Sequence, residues 1–236
     1  MLYLNSTKKE KRMIWLCGDT HGEIDIYKVE DFFDNLQSYD EITKEDYLII
    51  LGDVGVSDNF FVQKRLSAMP CTVLWVDGNH DNFDALEEYP VEEWHGGKVQ
   101  YIAEDIIHLM RGQIFEIEGH TFFTFGGGFS IDKWMRQPHV SWWPQEMPSE
   151  EEYAEGERNL AKVDYRVDYI LSHTCPEFIA EQLTNEMIEG EEEIRQYFDE
   201  ISEMTDFDMW YFGHWHIDEC IDNFRCLWYD IIELGE

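Results

Sequence analysis

Positive charge is what this sequence most lacks: 17 Lys and Arg stand against 51 Asp and Glu in 236 residues, a formal net charge of −34. A surface of that sign repels phosphate backbones and anionic bilayers, so long nucleic acid and membranes are not expected partners unless a local cation overrides the field. Long apolar runs are missing as well. No stretch approaches the ~18 residues of a membrane span, and the charged segment Met1 to Arg12 leads into no apolar stretch, so neither an anchor nor a signal peptide is expected. Cysteines are few and odd in number, and Cys17, Cys71, Cys175, Cys220 and Cys226 form no CxxC pair. That pattern fits reduced thiols in a cytoplasm and argues against a zinc knot. Linker tracts, repeats and low-complexity segments are absent too, so residues 1–236 are expected to form a single domain. What is present, 44% hydrophobic and 15% aromatic residues, is enough for a sizeable core despite the charge.

Short runs of β-branched and aromatic residues recur at Met13 to Cys17, Tyr47 to Leu51, Thr72 to Val76, Thr121 to Phe125, Tyr169 to Leu171 and Met209 to Phe212. They read as buried strands, several followed by Gly and a polar cluster. Val29, Phe32, Phe33 and Leu36, and again Ile194, Tyr197, Phe198 and Ile201, follow the i, i+3, i+4, i+7 spacing of one helix face. The first half therefore reads β-α-β-α-β. Ser149 with Glu152 three residues on is a capping-box pattern that starts a helix. Close strand patterns from Ile106 to Phe129, broken at Arg111-Gly112-Gln113 and Glu118-Gly119-His120, predict hairpins, and the tail from Ile221 to Leu234 reads similarly. The acidic runs Glu150 to Glu157 and Glu186 to Glu193 read as solvated helix faces.

The residues after the strands carry the chemistry: Gly18-Asp19-Thr20-His21-Gly22, Gly52-Asp53-Val54-Gly55, Gly78-Asn79-His80-Asp81, Ser172-His173-Thr174 and Gly213-His214-Trp215-His216. Five of the nine histidines and three aspartates fall in these clusters. Nitrogen and oxygen donors without thiolate suit two divalent transition ions such as manganese, iron, zinc, cobalt or nickel. Asp19 and His21 are two apart, so in extended chain both leave one face and can grip one ion. Glycine beside each ligand lets backbone come close to the site. An isolated Asp-x-His is weak evidence, but five such clusters in this order are not.

The combination closely resembles the calcineurin-like metallophosphoesterases, whose signature runs DxH, GDxx, GNH(D/E), a lone His, then GHxH, and the likeness spans Asp19 to His216. The resemblance implies an α/β fold, a four-layer αββα sandwich with two mixed β-sheets and the metal site at the strand C-terminal ends. It implies that Asp19, His21 and His216 hold one metal, that Asp53 bridges, and that Asn79, His173 and His214 complete the second. It casts His80 as the catalytic histidine and Asp81 as the group that orients it. The implied cofactor is a pair of divalent ions, manganese first. A carboxylate between two dications offsets their repulsion, and a water they share loses its proton near pH 7. The implied activity is hydrolysis of phosphomonoesters or phosphodiesters of small substrates, nucleotide-like ones among them, by in-line attack of that metal-bridging hydroxide.

Val54-Gly55-Val56-Ser57-Asp58 lacks the Arg that protein Ser/Thr phosphatases carry after this motif, so phosphoproteins are not expected substrates. Cys175 reads as a buried thiol and not a ligand. Gly126-Gly127-Gly128 matches no phosphate-binding fingerprint and reads as a tight turn beside the site. In a chain so poor in cations, Lys133 and Arg136 just beyond it are candidate contacts for the substrate phosphate. Trp134, Trp142 and Trp143 read as packing residues, and His95, His108 and His120 as structural or surface residues. Two rivals remain: a nuclease of the same fold, disfavoured by the charge, and a silent scaffold for a protein partner, disfavoured by the complete polar set. The motifs name neither the natural substrate nor the oligomeric state.

Overall fold

A computed structural model describes residues 12–36, 41–184 and 189–235. The segment through residue 11 and Glu186, both read above, lie outside them. Strands β1 (Ile14–Cys17), β2 (Tyr47–Leu51) and β3 (Thr72–Val76) run parallel, with helices α1 (Tyr27–Asn35) and α2 (Phe60–Ser67) as the crossovers, the β-α-β-α-β order that the spacing predicts. These strands are apolar along their length because both faces are covered. Trp15 and Cys17 pack outward with Val29, Phe33, Val62 and Leu66 of the helices, while Ile14 and Leu16 face inward. Asn59 starts α2 by accepting from the backbone N–H groups of Phe61 and Val62, two donors that have no partner within the helix.

The helix α3 (Phe83–Leu86) follows β3, and a meander of β4 (Val91–Trp94), β5 (Gly97–Ala103) and β6 (Ile106–Leu109) extends the sheet, β6 lying parallel to β3. The second sheet opens with the hairpin β7 (Gln113–Ile117) and β8 (His120–Phe125). Helix α4 (Glu150–Lys162) precedes β9 (Tyr169–Ser172), and α5 (Glu177–Leu183) with α6 (Glu192–Met204) precede β10 (Met209–Phe212). The chain closes with β11 (Glu219–Ile221), β12 (Phe224–Cys226) and β13 (Ile231–Glu233). The strand orders are β13-β1-β2-β3-β6-β5-β4 and β11-β12-β10-β9-β8-β7, and both sheets are mixed. Three apolar layers lie among them: α1 to α3 on the first sheet, Leu51, Val76, Phe115 and Leu171 between the sheets, and Phe125, Trp210 and Phe198 under α4 to α6. This is the four-layer αββα sandwich. Among the described residues no helix is long and apolar enough to cross a membrane.

The expected capping box is present: Ser149 accepts from Glu152 N–H and the Glu152 carboxylate accepts from Ser149 N–H. One expected hairpin is not. β6 and β7, joined by Met110-Arg111-Gly112, belong to different sheets. The fully buried β6 completes the parallel run beside β3, and Arg111 turns inward to Asp77, so the chain crosses between sheets there. The tail is half a correction: β11 and β12 form a hairpin, but β13 crosses to pair antiparallel with β1.

Candidate metal centre

Strands from both sheets end at one place, and each ends in a donor. Asp19 follows β1, Asp53 follows β2, Asn79 follows β3, His173 lies beyond β9, and His214 and His216 follow β10. Parallel strands with the same polarity put all these ends on one edge, so residues almost 200 apart in the chain meet. His21, Asp53, His214 and His216 all have positive φ. Four strained backbones at one cluster mark a site held by its surroundings. Gly78 sits so close to Asp53, and Gly52 (φ +98°) to the His173 ring, that a Cβ at either would collide with them. The close approach expected of these glycines is real.

Two groups of ligand atoms lie within 4.8 Å of one another, Asp19 with His21 and His216, and Asp19 with Asp53 and His173. Asp19 Oδ2 is 3.1 Å from His216 Nε2, and Asp53 Oδ2 is 3.6 Å from His21 Nε2. Asn79 Oδ1 lies 3.0 Å from both His173 Nε2 and His214 Nδ1. All seven side chains assigned to metals therefore converge; Asp19 belongs to both groups, and Asp53 reaches His21 with Oδ2 at 3.6 Å and His173 with Oδ1 at 3.5 Å.

The ring orientations test whether cations fit. His173 Nδ1 donates to the Leu51 carbonyl at 2.7 Å, His214 Nε2 faces the Glu191 carboxylate at 3.1 Å, and His21 Nδ1 faces Asp25 at 3.1 Å. Each ring thus turns its other nitrogen toward the cluster. His173 Nε2 and His214 Nδ1 then meet at 3.2 Å, as do His21 Nε2 and His216 Nε2. Ring nitrogens facing one another at that separation, beside the buried carboxylates of Asp19 and Asp53, call for positive charge between them. Two divalent ions fit this donor set.

The electrostatics agree. Burial alone would lower His21 and His214, but Asp53 and Asp19 in the first case, and Glu191, Asp19 and Asp53 in the second, raise each to about 9. Burial would raise Asp53, yet the charges of His173, His21 and His80 hold it far below the carboxylate range. The cluster is a well of negative potential that draws cations.

His80 sits beside the cluster, its ring centroid 6.3 Å from that of His21, and its backbone N–H donates to Asp53 Oδ1 at 2.7 Å. Burial lowers its pKa, and its Nδ1 is buried without a hydrogen-bond partner. Asp81 is expected to orient this ring. Its oxygens instead accept from Gly55 N–H (2.7 Å) and Gly78 N–H (2.8 Å), tying the second and third motifs together. Its bonds hold the backbone of the loop that carries His80 and not the ring. Burial and then the Asp53 charge push Asp81 up to about 7.

Beside the cluster opens a cavity of about 300 Å³, whose lining includes Asp53, His80, Phe129, Ile131, Asp132 and His216. Arg136 stands behind Asp132, its Nε 2.6 Å from the carboxylate, and its guanidinium also donates to the Ser141 carbonyl. Lys133 Nζ lies 3.8 Å from the centre of the Phe129 ring. Both expected phosphate contacts thus stand one residue back from the cavity wall. Trp143 is buried in the core and Trp142 is half-buried, but Trp134 is 79% exposed, so only part of the tryptophan cluster packs as expected. His108 is structural, held by Gln100 and Asp77, and His95 and His120 lie away from the site. Cys175 is fully buried, and its thiol is pushed well up by burial.

Several residues here carry no motif. Glu191, expected on a solvated face, is wholly buried: it accepts from Phe129 N–H and Thr174 Oγ1 besides meeting His214. Its acidic neighbours gave no sign of this, because a run of like charges looks the same whether or not one member turns inward. Asn79 Nδ2 donates to Ser130 Oγ, which donates to the buried Glu146, and this fixes which end of the Asn79 amide faces the cluster. Lys28, from α1, donates to the Asp19 carbonyl and to that of Trp228.

A family model described as calcineurin-like phosphoesterase matches residues 12–218. No curated protein sequence matches the chain significantly. Among solved structures the chain is similar to phosphopantetheinyl hydrolase from Mycobacterium tuberculosis, at 17% identity over 92% of this chain and 88% of that one, with a TM-score of 0.47. It is also similar to a protein from Staphylococcus aureus, provisionally named a 5'-nucleotidase and solved with alpha-ketoglutarate, at 16% identity over 92% of this chain and a TM-score of 0.48. The match spans 48% of that second chain.

Proposed function

This chain belongs to the calcineurin-like phosphoesterase family and is a metal-dependent phosphoesterase, and from that premise we propose that it hydrolyses phosphomonoesters or phosphodiesters of small molecules, nucleotide-like ones among them, at a dinuclear centre. The observation that carries this reading is the inward convergence of Asp19, His21, Asp53, Asn79, His173, His214 and His216, with the outward ring nitrogens of His21 and His173 hydrogen-bonded and that of His214 3.1 Å from the Glu191 carboxylate. Asp19, His21 and His216 would hold one ion and Asn79, His173 and His214 the other, with Asp53 available to both. Manganese suits the site, as do iron, zinc, cobalt and nickel. Such ions supply Lewis-acid charge for the phosphoryl oxygens and a hydrolytic nucleophile at neutral pH.

The chain's own residues do the rest. Asp53 is held rigid by the His80 N–H, so the loop that carries His80 moves with the bridging carboxylate. His80 lines the cavity, and with burial lowering its pKa its ring N–H serves as a hydrogen-bond donor that stabilises the charge developing on the leaving oxygen. Asp81 fixes that loop by its two backbone bonds. Arg136 and Lys133 hold Asp132 and Phe129 in place in the cavity wall. The same proposal places residues 1–236 as one domain in the cytoplasm, in keeping with five unpaired cysteines.

A panel of mononucleotides, cyclic nucleotides, dinucleoside polyphosphates and sugar phosphates, assayed with added manganese, tests the reading. Hydrolysis that chelation abolishes, with two metals per chain by elemental analysis, is expected. One metal or none in active protein overturns the dinuclear centre.

A further inference from the structure

Of the twelve large apolar side chains that are exposed among the described residues, seven lie in the segments that follow the strand ends at the metal edge. Ile24 follows β1, and Phe60 and Phe61 open α2 just after the loop that follows β2. Ile131, Trp134, Met135 and Val140 fall in the segment that follows β8, each more than 60% exposed. Apolar surface concentrated beside a polar site marks contact with something apolar. The cavity shows where that contact begins. Phe129 and Ile131 line it together with His80 and His216. Phe129 is held in place, packed between Gly190 and the Lys133 ammonium. Ile131 is 67% exposed with no apolar partner assigned to it in the core.

The same wall is a poor host for a second anion. Its one charged group besides the metal-site residues is Asp132, whose cation, Arg136, is already engaged with it and with Ser141. Lys133 lies over aromatic rings. A leaving group with further phosphates would meet a carboxylate there and a field of −34 beyond it.

We propose that the substrate's leaving group is apolar, an aryl or alkyl alcohol that packs on Phe129 and Ile131. The inference rests on the phosphoesterase reading above and narrows it: the phosphoryl group goes to the metals and the carbon skeleton to this wall.

A homologous series of 4-alkylphenyl phosphates, from methyl to butyl, tests it, because the phenols are almost equally acidic and only apolar length changes. Each methylene is expected to raise kcat/KM about fourfold, the factor for about 0.8 kcal/mol per buried CH₂. Ile131→Ser should flatten that slope, whereas Val91→Ser, an exposed apolar site on β4 away from the metal edge, should leave it unchanged. Calorimetric Kd values for the matching 4-alkylphenylphosphonates provide a readout that needs no turnover. Phosphonate binding that strengthens with chain length while no ester is cleaved supports the apolar wall and refutes the phosphoesterase reading. Cleavage or binding that is indifferent to chain length, or a slope untouched by Ile131→Ser, overturns the proposal, as does a higher kcat/KM for nucleoside triphosphates than for the butyl ester.

Discussion

Glu191 Oε1 lies 3.1 Å from Nε2 of His214, and the opposite nitrogen of that ring points to Asn79 and His173. A carboxylate behind a ligating histidine sets its tautomer and raises its basicity, and removing one commonly costs 10- to 100-fold in metal affinity. Glu191→Ala is therefore expected to weaken one of two metals by about that factor, with Glu191→Gln, which keeps an acceptor, losing less. Titration of the apoprotein with manganese, followed by calorimetry, reads this directly. Equal affinities in wild type and both variants would show that Glu191 only packs.

Binding and chemistry separate at two neighbouring positions. Asp53→Ala should lose metal and with it the increase in melting temperature that metal confers. His80→Ala should keep both metals yet lose about 10²- to 10³-fold in turnover, the range for removing one hydrogen-bond donor to a developing oxyanion. Elemental analysis beside steady-state kinetics checks the pair, and unchanged turnover in metal-loaded His80→Ala removes His80 from the mechanism.

Asp77 makes an acid-sensitive contribution to stability. It is buried with Arg111 at 2.6 Å and His108 at 3.0 Å, and although burial would raise it, the Arg111 charge and the His108 bond hold it far below the usual range. A carboxylate depressed in the folded state stabilises fully above its unfolded pKa near ~3.9 and loses that contribution as pH falls toward the folded value. Urea melts should therefore weaken below about pH 4. Asp77→Asn, which strands the Arg111 charge, is expected to cost about 3–5 kcal/mol at pH 7 and to flatten the acid limb. An acid limb as steep in Asp77→Asn as in wild type would assign it to other carboxylates.

Salt should help catalysis on anionic nucleotides. Two dications offset only a small part of −34, so the long-range field repels such a substrate. The Debye length falls from about 30 Å at 0.01 M to about 8 Å at 0.15 M, and kcat/KM should rise over that range wherever association limits it. A labelled oligonucleotide measured in parallel distinguishes the nuclease reading, whose binding falls steeply with salt.

The five motif clusters were legible in the chain because each ligand type is chemically distinctive and each follows a buried apolar strand. The β-α-β-α-β order and the Ser149 cap were legible because apolar periodicity and capping bonds are local. The outer groups were not. Glu191 in its acidic run, Glu146 after Gln145, and Asp77 at the end of β3 reach their partners across 23, 16 and 34 positions, in Glu191–His214, Glu146–Ser130 and Asp77–Arg111, and only packing of separate elements creates those pairs. The same holds for β6, whose place beside β3 depends on which strand covers that edge, and for Asp81, whose oxygens were free to choose between the His80 ring and two backbone donors until the loops met. Ligand identity is written locally because metal chemistry restricts it to a few side chains. Which carboxylate turns inward to support those ligands is decided by burial, since a charge can leave water only where the tertiary structure supplies its partners.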